Sequence, residues 1–419
     1  MILGDPSPEA WDKLHRYASW MRKLHLGWFW ALRDDTLLKF RLNLPAGGWF
    51  PALQELHWCI AESNIPSADL CFSPDLKRVS FSLWLRDNSG VPHKLLPAAA
   101  SIIFALPTSA LQSILIDPDP YPEIPWAVCL NDAFSSAVLR CGPSLTEFTS
   151  PILLSDAAIN HLIRLPRLRT LWIECPPPNY SASSLPLVFP PLVEFTLGGG
   201  AVHGWLSLFK RLGYPDSTTQ IVKPLSRVKE SLRSLNIEIF PSPVINSSFT
   251  SPIQIFYNLV SLNVKVRCHD ESRVGQCGFK LNNGDITHLA MALSRLESLL
   301  LGHPCFENIC PATVVCLLSV FVFCTKLGVL EIHFNTANIT EDFKSISEDP
   351  QLRELQSLPR STLTHLHVGQ IPLALDELGS DTVTNGMVDI FPSLQSCQGY
   401  GITWGKVNRG VKRCWERRR

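Results

Sequence analysis

Cys268, His269 and Cys277, followed by His303, Cys305 and Cys310, are the densest thiol and imidazole clusters in the chain. Together they could in principle ligate zinc, and Cys305 and Cys310 have the C-x4-C spacing, but neither group holds the two paired sets of ligands that a structural zinc site uses. Cysteine in such settings serves as a small core residue, so no metal centre is expected. Gly198-Gly199-Gly200 follows a strand-like stretch, where a dinucleotide-binding turn would sit. Its spacing to Gly204 is not G-x-G-x-x-G, and no acidic residue follows at the distance a ribose contact needs. It reads as a repeat turn, and no cofactor is expected. G-x-S-x-G, H-E-x-x-H, Walker and kinase patterns are all missing. With 12 histidines and many serines, chance Ser/His/Asp neighbours carry no weight. The sequence therefore points away from an enzyme, and no catalytic residue is assigned.

Composition narrows the class. The 419 residues carry 37 basic and 37 acidic side chains, so no overall field attracts nucleic acid or an anionic membrane. Apolar residues make up 46%, enough for a large core, and charged residues only 18%. The 61 leucines and 33 prolines are reconciled by many short elements joined through proline-containing turns. The start, MILGDPSPEA, lacks the basic and apolar regions of a secretory signal. The longest apolar run, Ala312 to Cys324, is too short to span a bilayer and reads as a buried helix. Thirteen cysteines without a CxxC pair suggest reduced thiols and an intracellular protein, cytoplasmic or nuclear.

The elements that would position a site come from a repeat. The pattern Leu-x-x-apolar-x-apolar begins in full at Leu53, Leu76, Leu111, Leu168, Leu192, Leu232, Leu259, Leu296, Leu327 and Leu363. Partial forms begin at Leu145 and Leu394, and LLKFRL from Leu37 is a further match that would open the series. About seven full matches would arise by chance at this composition, so the flanks weigh more than the count. Six of the twelve sites from Leu53 to Leu394 carry proline two places earlier, where chance gives about one. In LRSLNIE, Leu235 and Ile237 point to one face of a short strand while Ser234, Asn236 and Glu238 point to the other. Segments such as Trp205–Leu212, Ile286–Leu293 and Thr313–Phe323 have helical spacing or length and would cover the apolar face. Strand, turn and helix repeated in one sense give a parallel sheet with right-handed crossovers.

These units resemble leucine-rich repeats of the long, ribonuclease-inhibitor-like kind, from Leu37 to Tyr400. The resemblance implies an α/β, irregular leucine-rich-repeat solenoid with a curved parallel sheet and a short helical N-terminal cap. It also implies Asn or Cys at the ninth position of each unit, bonding successive turns; Asn335 fits, and most units do not. Trp11–Leu26 resembles the segment that follows the F-box in fungal F-box proteins, and FPALQELHW and SPDLKRVSF are similar to the first two strands of their repeat domain. Those proteins recruit substrates to SCF-type ubiquitin ligases, the F-box docking on the Skp adaptor and the repeats holding the substrate. The first forty residues contain no F-box, so Skp and cullin are expected as partners only if that module is supplied upstream. The alternative is a repeat scaffold that binds a protein unrelated to degradation.

The expected organisation is a helical cap and linker at 1–35, the solenoid at 36–400, and a basic tail at 401–419. Lys406–Arg419 holds seven basic residues and one acidic. It reads as a solvated terminus, with nuclear targeting or RNA contact as the other reading. The partner-facing side chains would be the third, fifth and seventh residues of the units. Those are Glu55 and His57, Trp172 and Glu174, Asn236 and Glu238, Asn263 and Lys265, Glu331 and His333, and His365 and His367. Trp172 is of the type enriched at binding hot spots. The expected partner is a protein substrate, with neither membrane nor nucleic acid.

Overall fold

The computed structural model describes residues 7–27, 34–43, 48–60, 70–83, 95–117, 128–174, 190–198, 226–239, 247–266, 280–302, 311–348, 362–368, 377–399 and 402–418. The chain divides into two compact units, Met1–Pro176 with Ser183–Leu192, and Pro177–Ala182 with Val193–Arg419. In the first unit the strands are β1 (Lys23–Leu26), β2 (Glu55–Ile60), β3 (Arg78–Leu83), β4 (Ser113–Asp117), β5 (Glu147–Ser150) and β6 (Thr170–Glu174). In the second they are β7 (Glu194–Gly198), β8 (Ser234–Ile239), β9 (Ser261–Val266), β10 (Ser298–Gly302), β11 (Val329–Ile332), β12 (His365–His367) and β13 (Ser396–Gln398). Within each unit every strand pairs in parallel with the next one in the chain. The architecture is α/β, a succession of parallel strands with helices between them.

The leucine pattern accounts for the strand positions. Each of the twelve leucines from Leu53 to Leu394 lies two residues before a strand, and each is at most 1% exposed. Beyond it, period-2 alternation sends one row of side chains inward. Leu24, Leu56, Val79, Ile114, Phe148 and Leu171 form one such row in the first unit, all paired in register. Phe195, Leu235, Leu262, Leu299, Leu330, Leu366 and Cys397 form its counterpart in the second.

A backbone clamp repeats with the same period. The carbonyl after most leading leucines accepts two successive N–H groups from the next turn. Gln54 O accepts from Lys77 and Arg78 (2.8 and 2.9 Å), and Gln112 O from Thr146 and Glu147 (2.8 and 3.1 Å). Arg233 O accepts from Val260 and Ser261, Val260 O from Glu297 and Ser298, and Gly328 O from Thr364 and His365. The turns are also tied by hydroxyls, as where Ser144 donates to Leu111 O (2.9 Å) and Thr364 to Gly328 O (3.0 Å). The Asn335 side chain bonds locally, its Oδ1 accepting from Ala337 N at 2.9 Å, while its backbone N–H donates to Ala312 O in the preceding turn at 2.7 Å.

Two expectations change here. LLKFRL lies in the helix Asp34–Leu42 and is not the opening strand. In that neighbourhood the Trp49 indole donates to Phe40 O (3.0 Å), and the rings of Trp11, Phe40 and Trp49 pack together. The first strand is KLHL, Lys23–Leu26, inside the segment expected to be helical. There Arg22 O accepts from Gln54 and Glu55, as each later clamp does. The helix Pro8–Trp20 precedes it, with the Ser7 side chain accepting from Ala10 N.

Helices cover the inward face of each unit. The segment Ile286–Leu293 lies within and just past the helix Asn283–Ala292, opened by a reciprocal cap between Asn282 and Asp285. Thr313–Phe323 contains the helix Cys316–Phe323, whose Cys316, Leu317, Val320 and Phe321 are buried. The basic tail is the helix Ile402–Arg418, which packs on the helix Glu377–Ile390 and on β13 through buried Trp404, Val407 and Val411. Trp205–Leu212 lies outside the described residues. Among the described residues, no helix is long and apolar enough to cross a membrane.

Candidate recognition surface on the polar sheet face

The same pairing that buries the leucine rows assembles their neighbours into rows on the opposite face. In the first unit one row runs Lys23, Glu55, Arg78, Ser113, Glu147, Thr170, and the next runs His25, His57, Ser80, Leu115, Thr149, Trp172. A shorter third row holds Cys59, Ser82 and Asp117. Charges of the first row interlock. Glu55 meets Lys23 at 2.7 Å and Arg78 at 3.7 Å, and Ser113 donates to Glu147 at 2.8 Å.

Across β1 to β4 this face forms an open groove of about 500 Å³, lined among others by Lys23, His25, Glu55, His57, Arg78 and Ser80. Beside it the imidazoles of His25 and His57 meet edge to face, their centroids 4.2 Å apart. Both reach Cys59, whose Sγ is 3.6 Å from His25 Nε2 and 3.8 Å from His57 Nε2. Burial depresses the His57 pKa below its ordinary value. The charge of His25 acts in the same direction, and Asp117 opposes them.

In the second unit one row runs Glu194, Ser234, Ser261, Ser298, Val329, His365, Ser396. The next runs Thr196, Asn236, Asn263, Leu300, Glu331, His367, and Glu238 pairs with Lys265 and Lys265 with Gly302 beyond it. Glu331 leans over Gly302, where a Cβ would collide with its carboxylate, and stands 3.8 Å from His367. Glycine at 302 thus gives that carboxylate its room. The side-chain oxygens of Asn236 and Asn263, the Trp172 indole N–H and His367 Nδ1 are shielded and have no hydrogen-bond partner among the described residues.

Of the side chains expected to face a partner, Glu55, His57 and Trp172 are half-buried on the polar face of the first unit and Asn236, Glu238, Asn263, Glu331 and His367 on that of the second, where Lys265 and His365 are exposed. Glu174 ends β6, and its side chain lies outside what is described. His333 departs from the expectation. β11 ends at Ile332, so the alternation stops, and His333 is only 4% exposed. Lys23, His25, Cys59 and Arg78 join the face without having been singled out. KLHL has the alternation but no leading leucine, and Cys59 is the seventh residue of the unit from Leu53.

Cys268, His269, Cys277, His303, Cys305 and Cys310 lie outside the described residues, as do Gly199, Gly200 and Gly204. Among the described residues, His25, His57 and Cys59 are the one group whose ligand atoms all lie within 4.8 Å of one another. Compared with known proteins, the chain matches no family model and no curated protein sequence.

Proposed function

We propose that this chain is a leucine-rich-repeat recognition module that holds a protein partner against the polar face of its parallel sheet. The observation that carries the reading is the row Thr196, Asn236, Asn263, Leu300, Glu331 and His367, set in register on one face of the second unit with the leucine row buried behind it. Asn236 and Asn263 stand at the spacing of neighbouring strands, about 4.8 Å, and a polypeptide laid across β8 and β9 meets both. Glu331, His365 and Lys265 on the same face add charged contacts around such a segment. Recognition of this kind makes no bond in the partner; it raises the partner's concentration near whatever else is attached.

The narrower reading is that the attached machinery is an SCF-type ubiquitin ligase, reached through the Skp adaptor. It rests on the resemblance of Trp11–Leu26 and the first repeats to fungal F-box proteins. The alternative is a repeat scaffold whose partner has no link to degradation. Affinity purification of the tagged chain from its native cells, with quantitative mass spectrometry, separates these. The recognition reading expects Asn236→Arg to lower recovery of the main partner at least tenfold, and unchanged recovery would contradict it. Skp and cullin recovered with the wild-type chain support the ligase reading. A face-dependent partner without them leaves the scaffold.

A further inference from the structure

We infer that His25, His57 and Cys59 form a zinc site on the polar face of β1 and β2. The site is separate from the Asn236–Asn263 recognition surface, and either can stand without the other. β1 and β2 pair so that His25 lies directly beside His57, while Cys59 is two residues further along β2 on the same face. Three donors of the kinds zinc prefers thus converge from two rigid strands.

The spacing fits a tetrahedral ion. With Zn–S near 2.3 Å and Zn–N near 2.0–2.1 Å, the S···N edge of a tetrahedron is about 3.6 Å. The two S···N separations are 3.6 and 3.8 Å, both to Nε2. A thiol can donate to one imidazole and accept from the other, whereas a cation draws both nitrogens and the sulfur onto one centre. Cys59 is 5% exposed, which shields the sulfur, and His25 is exposed, which leaves a path for the ion. Among the described residues no fourth His, Cys, Asp or Glu joins the group, so water completes the coordination. Two imidazoles and one thiolate suit Zn²⁺, which has no geometric preference of its own and accepts nitrogen and sulfur alike.

Cobalt(II) tests this directly, because tetrahedral Co²⁺ is coloured and a thiolate ligand adds a charge-transfer band. The full chain, stripped with a chelator and kept reduced, is titrated with Co²⁺ and then with Zn²⁺. The expected result is one Co²⁺ per chain with a thiolate charge-transfer band, bleached by Zn²⁺. His25→Ala and Cys59→Ser should each weaken Co²⁺ binding at least ~100-fold, the upper end of what outer-shell changes alone cost. His288→Ala, exposed on the helix Asn283–Ala292, should leave it unchanged. Far-UV circular dichroism of the stripped variants checks folding, and His25, being exposed, is the variant least exposed to that concern. Zn²⁺ should also raise the melting temperature of the wild type and not that of Cys59→Ser. A wild-type chain without the charge-transfer band overturns the site, as does a band of undiminished strength in both ligand variants.

Discussion

Cys59 Sγ lies 3.6 Å from His25 Nε2 although 34 positions separate the two residues in the chain. The contact exists because β1 and β2 pair in a register that sets His25 beside His57. A one-residue slip of β1 would turn His25 to the opposite face, away from His57 and Cys59. The proposed recognition and the proposed metal site both use such rows, and the rows depend on the buried leucines behind them.

That dependence is testable at Leu235. It is fully buried on β8 between Phe195 and Leu262. Leu235→Asp places a carboxylate in this row and should cost on the order of 4 kcal/mol. Lys265→Ser, exposed on the polar face of β9, should cost less than about 1 kcal/mol. Chemical denaturation of the two variants gives the comparison, and equal losses would contradict the inward and outward assignment.

The C-terminal helix should behave as core. Trp404 is 1% exposed and its ring fills the space in front of Gly399. Trp404→Ala should cost about 3–5 kcal/mol, while Lys412→Ala on the exposed side should be silent. A thermal melt unchanged by Trp404→Ala would return the segment to a solvated tail.

How much of this was legible in the sequence follows from how local each signal is. The leading leucines and their alternation located twelve strands, because burial of a period-2 row is written within six residues. β1 escaped because KLHL lacks the leucine, and Leu37 misled because its apolar spacing also suits a helix. His333 was placed outward by extending the alternation past the end of β11. In the tail, Trp404, Val407 and Val411 sit at helical spacing beneath a run of positive charge that dominates its composition. The His25–His57–Cys59 group needs the register between two strands, which no local pattern states.

Burial of cysteines makes stability depend on alkaline pH. Cys141, Cys324 and Cys397 are pushed up from an ordinary 9.0 to about 12, in each case by burial. Cys141 also donates to Ala137 O, and Cys324 to Ala290 O, which favours the protonated thiol. Between pH 9 and 12 the unfolded chain has lost these protons while the folded chain keeps them. Unfolding is then favoured as pH rises, so stability is retained below pH 9 and falls through that window. Denaturation midpoints across it should fall less steeply for Cys324→Ala than for the wild type. An identical slope would contradict the assignment.

Trp172 should matter to binding rather than to folding. It is half-buried on the polar face of β6 with its indole N–H unpaired. Trp172→Ala should leave the melting temperature within a few degrees and reduce partner recovery several-fold. Full recovery with the variant would remove it from the surface.

The central claim is that a protein partner lies on the polar sheet face. Site-specific photo-cross-linking tests it most directly, with a photoreactive residue at position 236 on β8 or at 288, exposed on the helix Asn283–Ala292. The account predicts a discrete partner adduct from position 236 and none from 288. An adduct from 288 with none from 236 would place recognition on the helices and contradict it.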